Sequence, residues 1–529
     1  MSRTDYIFDT QVTFAPKEHC LDNCDNFSAC GEFLCYDTRD GSTGPGVESS
    51  TQVEKVELCS GTVTTLLEYK DAIVDRDTTS APGIGAPSFG YAGSDRVAII
   101  HGPPLSAVDE IGFYGKANRR GCELLADGSG EGRWLDKRVV PPSPDVLTST
   151  FFTEEEWFAE RGTHRGGTHR HEYCRDGTRV GCTYDDNLLP EYGRTIAYLE
   201  YGSHAPSGVC CSFAILVPVT KHGESKEGEI EVAAGDSWVG STGEMRAFIG
   251  KVRESKFKEK QYEESLFVCD IPKSVDITTA SSGSRTEFPT PPQGVVVRRL
   301  THSWAGGIVR GSPSGKMIAY YGKDVDGVKQ IFIIPSDGSD ESSDTDKQPQ
   351  QVTYLSEGVK SLRWQSENVL AFISGTNDVM LACAKPGSDF GRMLRCRHLP
   401  IRYMAPPKMD VIRNNLAVSP DGSMLAYNSA PFTRNQQIYV MACPPMGGWT
   451  QGILNFEPKQ WALEENGAIA AIPYCGNGGN ILNLNAMEAS PPLQKTTDQL
   501  GLKTRTAKHK VGIVCSVVAS IALMVFSKK

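Results

Sequence analysis

One repeat constrains this chain more than any other feature. Ser312-Pro313-Ser314-Gly315-Lys316-Met317-Ile318-Ala319-Tyr320 recurs as Ser419-Pro420-Asp421-Gly422-Ser423-Met424-Leu425-Ala426-Tyr427. Each copy reads as a tight turn followed by an apolar strand. A second strand follows each, Gln330-Ile331-Phe332-Ile333-Ile334 in one and Gln437-Ile438-Tyr439-Val440-Met441 in the other. Weaker copies stand at residues 30–36, 93–100, 175–184 and 366–373. A turn-plus-hairpin unit recurring roughly every 50 to 80 residues, with little helix between, is the signature of propeller blades. The expected fold is an all-β propeller of about seven blades over residues 10–450, with six to eight also compatible.

A second element bears on how such a ring closes. Gln351-Val352-Thr353-Tyr354 and Arg299-Leu300-Thr301-His302 each follow a hairpin and open the next unit. Gln11-Val12-Thr13-Phe14 resembles both, yet stands at the N-terminus. A propeller leaves its first and last blades unjoined unless one chain end lends a strand to the other. The N-terminal strand is therefore expected to complete the last blade, near residue 450. Gly (53) and Pro (31) together outnumber Lys and Arg (54), as many short strands and turns require. Residues 41–51, 75–88, 221–235 and the acidic 336–350 read as polar loops between blades.

The net charge is −10, which argues against a nucleic-acid partner, since a groove that follows phosphates needs a basic face. Sixteen cysteines in 529 residues are too few for a disulfide scaffold. The first residues, Met1-Ser2-Arg3-Thr4-Asp5-Tyr6, lack the apolar core of a secretory signal, so reduced thiols are expected. Cys20, Cys24, Cys30 and Cys35 crowd together without the C-x2-C spacing of a zinc knuckle. The other end is different: VGIVCSVVASIALMVF begins at Val511, with Lys503, Arg505, Lys508, His509 and Lys510 before it and Lys528 and Lys529 after. As a helix this run spans roughly 24 Å, which suits a thin membrane. The expectation is a tail and linker at 451–510 and a single-pass anchor at 511–527, with the propeller in the cytosol; the alternative is a buried core helix. Gly512, Ser516 and Ser520 share a helix face that could serve as a homodimer seam.

The S-P-[DS]-G-x-x-[IL]-A-Y turn and its Q-I-[FY] strand resemble the TolB-type propeller repeat. Further blocks resemble a bacterial family of uncharacterised TolB-like propeller proteins. They are Gln11-Val12-Thr13-Phe14-Ala15-Pro16 with His19, Ile100-His101-Gly102-Pro103, and Arg165-Gly166-Gly167-Thr168-His169-Arg170-His171 running to Thr183-Tyr184-Asp185-Asp186. Trp238-Val239-Gly240, Ala247-Phe248-Ile249-Gly250 and Pro291-Pro292-Gln293-Gly294-Val295-Val296 through Arg299-Leu300-Thr301 complete the set, which covers residues 10–445. The resemblance implies a fold and carries no activity. The longer insertions and the C-terminal apolar run depart from the bacterial pattern.

The block from Arg165 to His171 is the leading chemical candidate. Strand alternation would put His169 and His171 on one face, where two neutral imidazoles suit one divalent metal ion. His19, His101, His164 and His302 are further donors that a central channel could gather. Similar propellers that act as lyases on uronic-acid oligosaccharides hold a metal with several His and a Gln. By that likeness the metal would neutralise a substrate carboxylate while a base removes the neighbouring proton. Arg165 or Arg310 is placed to bind such a carboxylate, and His101 and Asp186 complete the candidate ligand-binding set. The competing reading of the H-x-H pair is strand-to-strand hydrogen bonding. Asp185 and Asp186 read either as acceptors from the histidines that could orient a water or as turn formers, and Trp238 and Trp304 either as channel lining or as core.

No G-x-S-x-G elbow, no G-x-x-x-x-G-K-[ST] loop and no H-E-x-x-H is present. Two function classes remain. One is a lyase-like or hydrolase-like propeller acting on a small polar or carbohydrate-like ligand. The other is a non-enzymatic platform that holds protein partners at a membrane.

Overall fold

The computed structural model describes residues 9–22, 25–39, 46–74, 80–91, 95–141, 157–255, 261–396, 412–430 and 435–443. They form seven antiparallel sheets taken up in chain order, so the fold is a seven-bladed β-propeller. Blade 2 is Ile84–Phe89, Arg96–His101, Arg120–Leu125 and Arg133–Trp134. Blade 3 is Gly167–Tyr173, Arg179–Asp185, Thr195–Tyr201 and Cys211–Ile215. Blade 4 is Ile230–Trp238, Met245–Arg253, Tyr262–Asp270 and Val296–Arg299; blade 5 is Ala305–Gly311, Met317–Lys323, Lys329–Pro335 and Gln350–Gln351. Blade 6 is Val359–Ser366, Val369–Ser374, Val379–Cys383 and Met393–Arg395. In blade 1 the strands Phe33–Asp37, Gln52–Glu57 and Val63–Glu68 are joined by an irregular inner segment, which bridges at Cys20 to Asp37 and at Phe27 to Leu34.

Blade 7 shows the expected closure. Ile412–Val418, Met424–Ala430 and Gln437–Ala442 take Asp9–Gln11 as their outermost strand, with Gln11 opposite Tyr439. The hydrophobic residues explain why the ring holds. Each blade buries one face against its neighbour, and seven apolar clusters fill the seven gaps. The last gap joins Leu21, Phe27, Leu34 and Tyr36 of blade 1 to Ala417, Ala426 and Ile438 of blade 7.

Both repeated motifs have local causes. Ser312 Oγ accepts from Met317 N at 3.2 Å and Ser419 Oγ from Met424 N at 2.9 Å, which ties each turn to the start of its strand. Gly315 and Gly422 take φ of +78° and +72°, the left-handed region that a glycine adopts without a Cβ clash. The Gln-Val-Thr element works through its threonine. Thr13, Thr301 and Thr353 hydroxyls each accept at 2.9 Å from the backbone N–H of Ile438, Leu266 and Ile331. Each hydroxyl satisfies a strand donor where the outermost strand leaves the ladder.

Three expected loops change. Ile84–Phe89 is the inner strand of blade 2 although it carries Gly85 and Pro87; an inner strand has a free edge that tolerates them. Ile230–Trp238 begins inside residues 221–235. Residues 336–350 contain the 3-10 turn Thr345–Lys347, and Asp340 from that stretch holds His302. Among the described residues no helix is long and apolar enough to cross a membrane. The tail, linker and anchor expected at 451–527 lie outside the described residues.

Candidate functional site

The first strand of each blade lies toward the axis, and six of these seven inner strands share one irregularity. Ala86, Arg170, Gly235, Gly307, Ser361 and Asn415 have φ of +52°, +61°, +67°, +73°, +54° and +51°. At each the inner strand slips against its neighbour, a β-bulge that turns side chains to new directions. A Cβ on Gly307 would stand 2.4 Å from the Tyr321 ring, so glycine is required there. Ala86, Arg170, Ser361 and Asn415 accept left-handed backbone at a cost of order 1 kcal/mol each, and such strain gathers at binding sites.

Just beyond the bulge, pairing with the second strand aligns Asn26, Ser88, Glu172, Ser237, Arg310, Arg363 and Ala417, one per blade. Charges meet here. The Glu172 carboxylate faces Arg246 Nη1 at 3.2 Å, Arg310 Nη1 at 3.6 Å and Arg170 Nη2 at 3.7 Å. Asp236 accepts from Arg246 Nε at 2.6 Å. Arg310 Nε donates to the Leu362 carbonyl at 3.3 Å, and Trp364 Nε1 donates to the Arg310 carbonyl at 2.9 Å. Burial pushes the Asp25 carboxyl above its ordinary range; Glu172 pushes the same way, and Arg175 and Arg363 oppose. Burial also raises the Tyr91 phenol, which hydrogen-bonds Asp25, while the Arg175 guanidinium lies 4.9 Å from the Tyr91 ring centre.

Two cavities open beside the bulges. One, of about 180 Å³, is lined by Val232, Ala234, Gly235, Lys251, Gly306 and Gly307 among others. The other, of about 220 Å³, lies between blades 5, 6 and 7 and includes Arg310, Tyr321, Lys329, Lys360, Ser361 and Asn415 in its lining.

The residues expected from sequence fall into three groups. Arg310 is in the charge cluster and the larger cavity. Arg165 and Asp186 do meet, Nε to carboxylate at 3.0 Å, but both are buried in blade 3. Asp186 also accepts from Tyr184 Oη at 3.0 Å, Leu188 N at 2.7 Å and Leu189 N at 3.0 Å, so it forms a turn as the alternative reading had it. His101 is buried in blade 2 with partners of its own. Its Nδ1 contacts the Gly102 carbonyl at 2.6 Å and its Nε2 the Tyr69 hydroxyl at 2.9 Å.

The H-x-H expectation needs correcting. Thr183 pairs with His169 and Gly181 with Glu172, so His169 and Glu172 share a face. The bulge at Arg170 therefore turns His171 to the opposite face and breaks the alternation that would have put both imidazoles together. His171 Nε2 lies 3.1 Å from Thr168 Oγ1 and 3.8 Å from Asp136, which His164 also approaches at 3.5 Å. Burial opposes the Asp136 charge, yet His164, His171 and Arg120 hold that carboxyl well below its usual range. His169 is instead pushed well below its ordinary value by burial and then by the Arg119 and Arg194 guanidiniums. Cationic surroundings oppose a metal cation, and the two donors do not converge, so His169 and His171 do not fit one shared ion. The further donors do not gather either. His19 meets the Tyr36 ring at a tilt, with centroids 5.3 Å apart, and His302 pairs with Asp340 at 2.9 Å. Among the described residues no group of three or more His, Cys, Asp or Glu side chains is arranged to hold a metal.

Sequence reasoning missed Asp25, Tyr91, Glu172, Arg175, Arg363, Lys329 and Lys360. The signal that reaches the ring is register: with the blade turns aligned, Gly177, Gly315 and Asn368 each stand five residues after Glu172, Arg310 and Arg363.

The fold defines a seven-bladed β-propeller, as the repeat implied. Over 452 residues the chain is 27% identical to the uncharacterised protein YidR of Escherichia coli K12, covering 79% of this chain and 94% of YidR. No protein-family model matches. Among solved structures, TolB from Acinetobacter baumannii is 13% identical, with a TM-score of 0.31, over 62% of this chain and 54% of that one. An oligogalacturonate lyase in complex with manganese is 10% identical, with a TM-score of 0.34, over 83% of this chain and 96% of that one.

Proposed function

We propose that this propeller binds a small polar, carbohydrate-like ligand in its axial channel. One observation carries the reading: Glu172, Arg310 and Arg363 come from the inner strands of blades 3, 5 and 6 and occupy one buried layer. Blade packing alone asks for apolar contact, and ionisable groups gathered in one buried layer are the kind of arrangement that functional sites use. If the ligand is turned over, acid–base chemistry falls to Asp25 and Glu172, neighbouring carboxyls of which one is pushed toward its protonated form. A thermal-shift screen of the full chain with neutral sugars and sugar acids tests the reading. Stabilisation that disappears in Arg363→Met supports it, and equal stabilisation of both proteins contradicts it.

The propeller is held at a membrane by residues 511–527 and faces the cytosol in this reading, with Gly512, Ser516 and Ser520 available to pair two copies. Deleting residues 511–529 should move the protein from the membrane pellet to the supernatant. A platform role has its own support: Phe14 and Tyr354 occupy the same motif position on blades 7 and 5 and are 73% and 70% exposed.

A further inference from the structure

We propose that the cavity between blades 5, 6 and 7 is an oxyanion site, taking the carboxylate or phosphate group of the channel ligand. The inference rests on the channel reading and names the chemical class of its ligand.

The bulges make the site. Ser361 and Asn415 stand at the bulge positions of blades 6 and 7 with left-handed backbone, and both line the cavity. The slip in each inner strand brings Ser361 and Asn415 to the lining of the gap, where the Asn415 amide also donates to Cys20 Sγ at 3.5 Å. Three cations border the same space: Arg310 from the inner strand of blade 5, Lys329 from its third strand and Lys360 from the inner strand of blade 6. The cavity of about 220 Å³ suits one small molecule.

The partners of these cations are unequal. Arg310 has Glu172 at 3.6 Å. Among the described residues, no carboxylate lies within 4.0 Å of Lys329 or Lys360. Lys360 Nζ donates to the neutral Asn377 Oδ1 at 2.6 Å, and Lys329 Nζ lies 5.0 Å from the Tyr321 ring centre. Burial lowers the Lys360 ammonium's proton affinity, and Lys329 lowers it further, so the two cations oppose each other across the cavity. Lys329 is exposed and Lys360 half-buried, so the two place positive charge at the mouth of the cavity without a carboxylate, a field that draws an anion. Arginine supplies a planar fork and lysine a compact point charge, a pairing that suits an oxyanion.

The site differs from the rest of the axial rim in this respect. Arg119 and Arg194 on blades 2 and 3 are both engaged by Asp185, at 3.1 Å and 2.8 Å. Arg39 on blade 1 is held by Asp22 at 2.6 Å and by Asp37 at 2.5 Å. Those three guanidiniums each have a carboxylate partner, with Asp185 shared by two of them; among the described residues the lysines on blades 5 and 6 have none.

Isothermal titration of the full chain in detergent and low-chloride buffer tests the site, with inorganic phosphate, glucuronate and uncharged glucose as probes. Saturable one-to-one binding of either anion, weakened tenfold or more in Lys329→Met/Lys360→Met, supports the site. Phosphate alone binding identifies a phosphate ester, and glucuronate alone a sugar acid. Lys360→Arg keeps the charge and should stay within about threefold of the parent, which separates lost charge from lost folding. Anion binding that is unchanged in the double variant overturns this location. Glucose binding without either anion overturns the oxyanion class and leaves the channel reading standing. Failure of all three probes overturns both.

Discussion

The indole N–H of Trp238 donates to the backbone carbonyl of Glu172 at 2.9 Å, fastening blade 4 to the inner strand of blade 3. Trp364 fastens blade 6 to Arg310 of blade 5 in the same way. The blades are therefore tied together at the residues that form the charge layer. Replacing Trp238 with Phe removes the indole N–H, leaves a buried carbonyl short of a donor and shrinks the packed ring, which together cost at least about 1 to 3 kcal/mol. Urea denaturation of Trp238→Phe should show that loss. An unchanged midpoint contradicts the fastening role.

Ring closure depends on Thr13 in an equally local way. Thr13→Val is close in shape and removes the acceptor of the Ile438 N–H. A loss of about 1 to 2 kcal/mol is expected from the stranded donor. Hydrogen exchange should quicken first at Ile438 and along Gln437–Ala442, and faster exchange confined to other blades contradicts closure by the N-terminal strand.

Acid should weaken the fold through His101. Burial lowers this imidazole from 6.5 to about 4. Its folded value lies below its unfolded one, so the unfolded chain takes up the proton first as pH falls. Stability is then fully present above pH 6.5, declines from 6.5 to about 4 and levels off below that, a change of about 3 kcal/mol from this group. His19 and His169 shift in the same direction and add to the decline. Unfolding midpoints at pH 7 and pH 4.5 measure it, and an NMR titration placing His101 near 6.5 contradicts it.

Arg165 should behave as a structural residue. Arg165→Met leaves buried Asp186 with its hydroxyl and backbone donors but without its cation, a loss of about 3 kcal/mol. Adding Asp186→Asn should recover part of it. Ligand affinity in the channel should stay within twofold of the parent; a tenfold loss would return Arg165 to the binding site.

The fold was legible because blade construction uses the same side chains each time. Ser312 and Ser419 cap their turns, Gly315 and Gly422 take left-handed backbone, and the threonine of each Gln-Val-Thr element accepts a strand N–H. The site was legible only at Arg310. The axial layer reads Asn26, Ser88, Glu172, Ser237, Arg310, Arg363 and Ala417, a position fixed by geometry with no shared chemistry for a motif to show. His169 and His171 misled for a physical reason. Strand alternation was applied across Arg170, where the backbone is left-handed and the alternation breaks.

The most direct test is a crystal structure of the full chain grown with inorganic phosphate. The account predicts density for one anion inside the ring, within hydrogen-bonding reach of Arg310, Lys329 and Lys360. Phosphate bound solely elsewhere on the molecule, out of reach of Arg310 and Lys360, would contradict it.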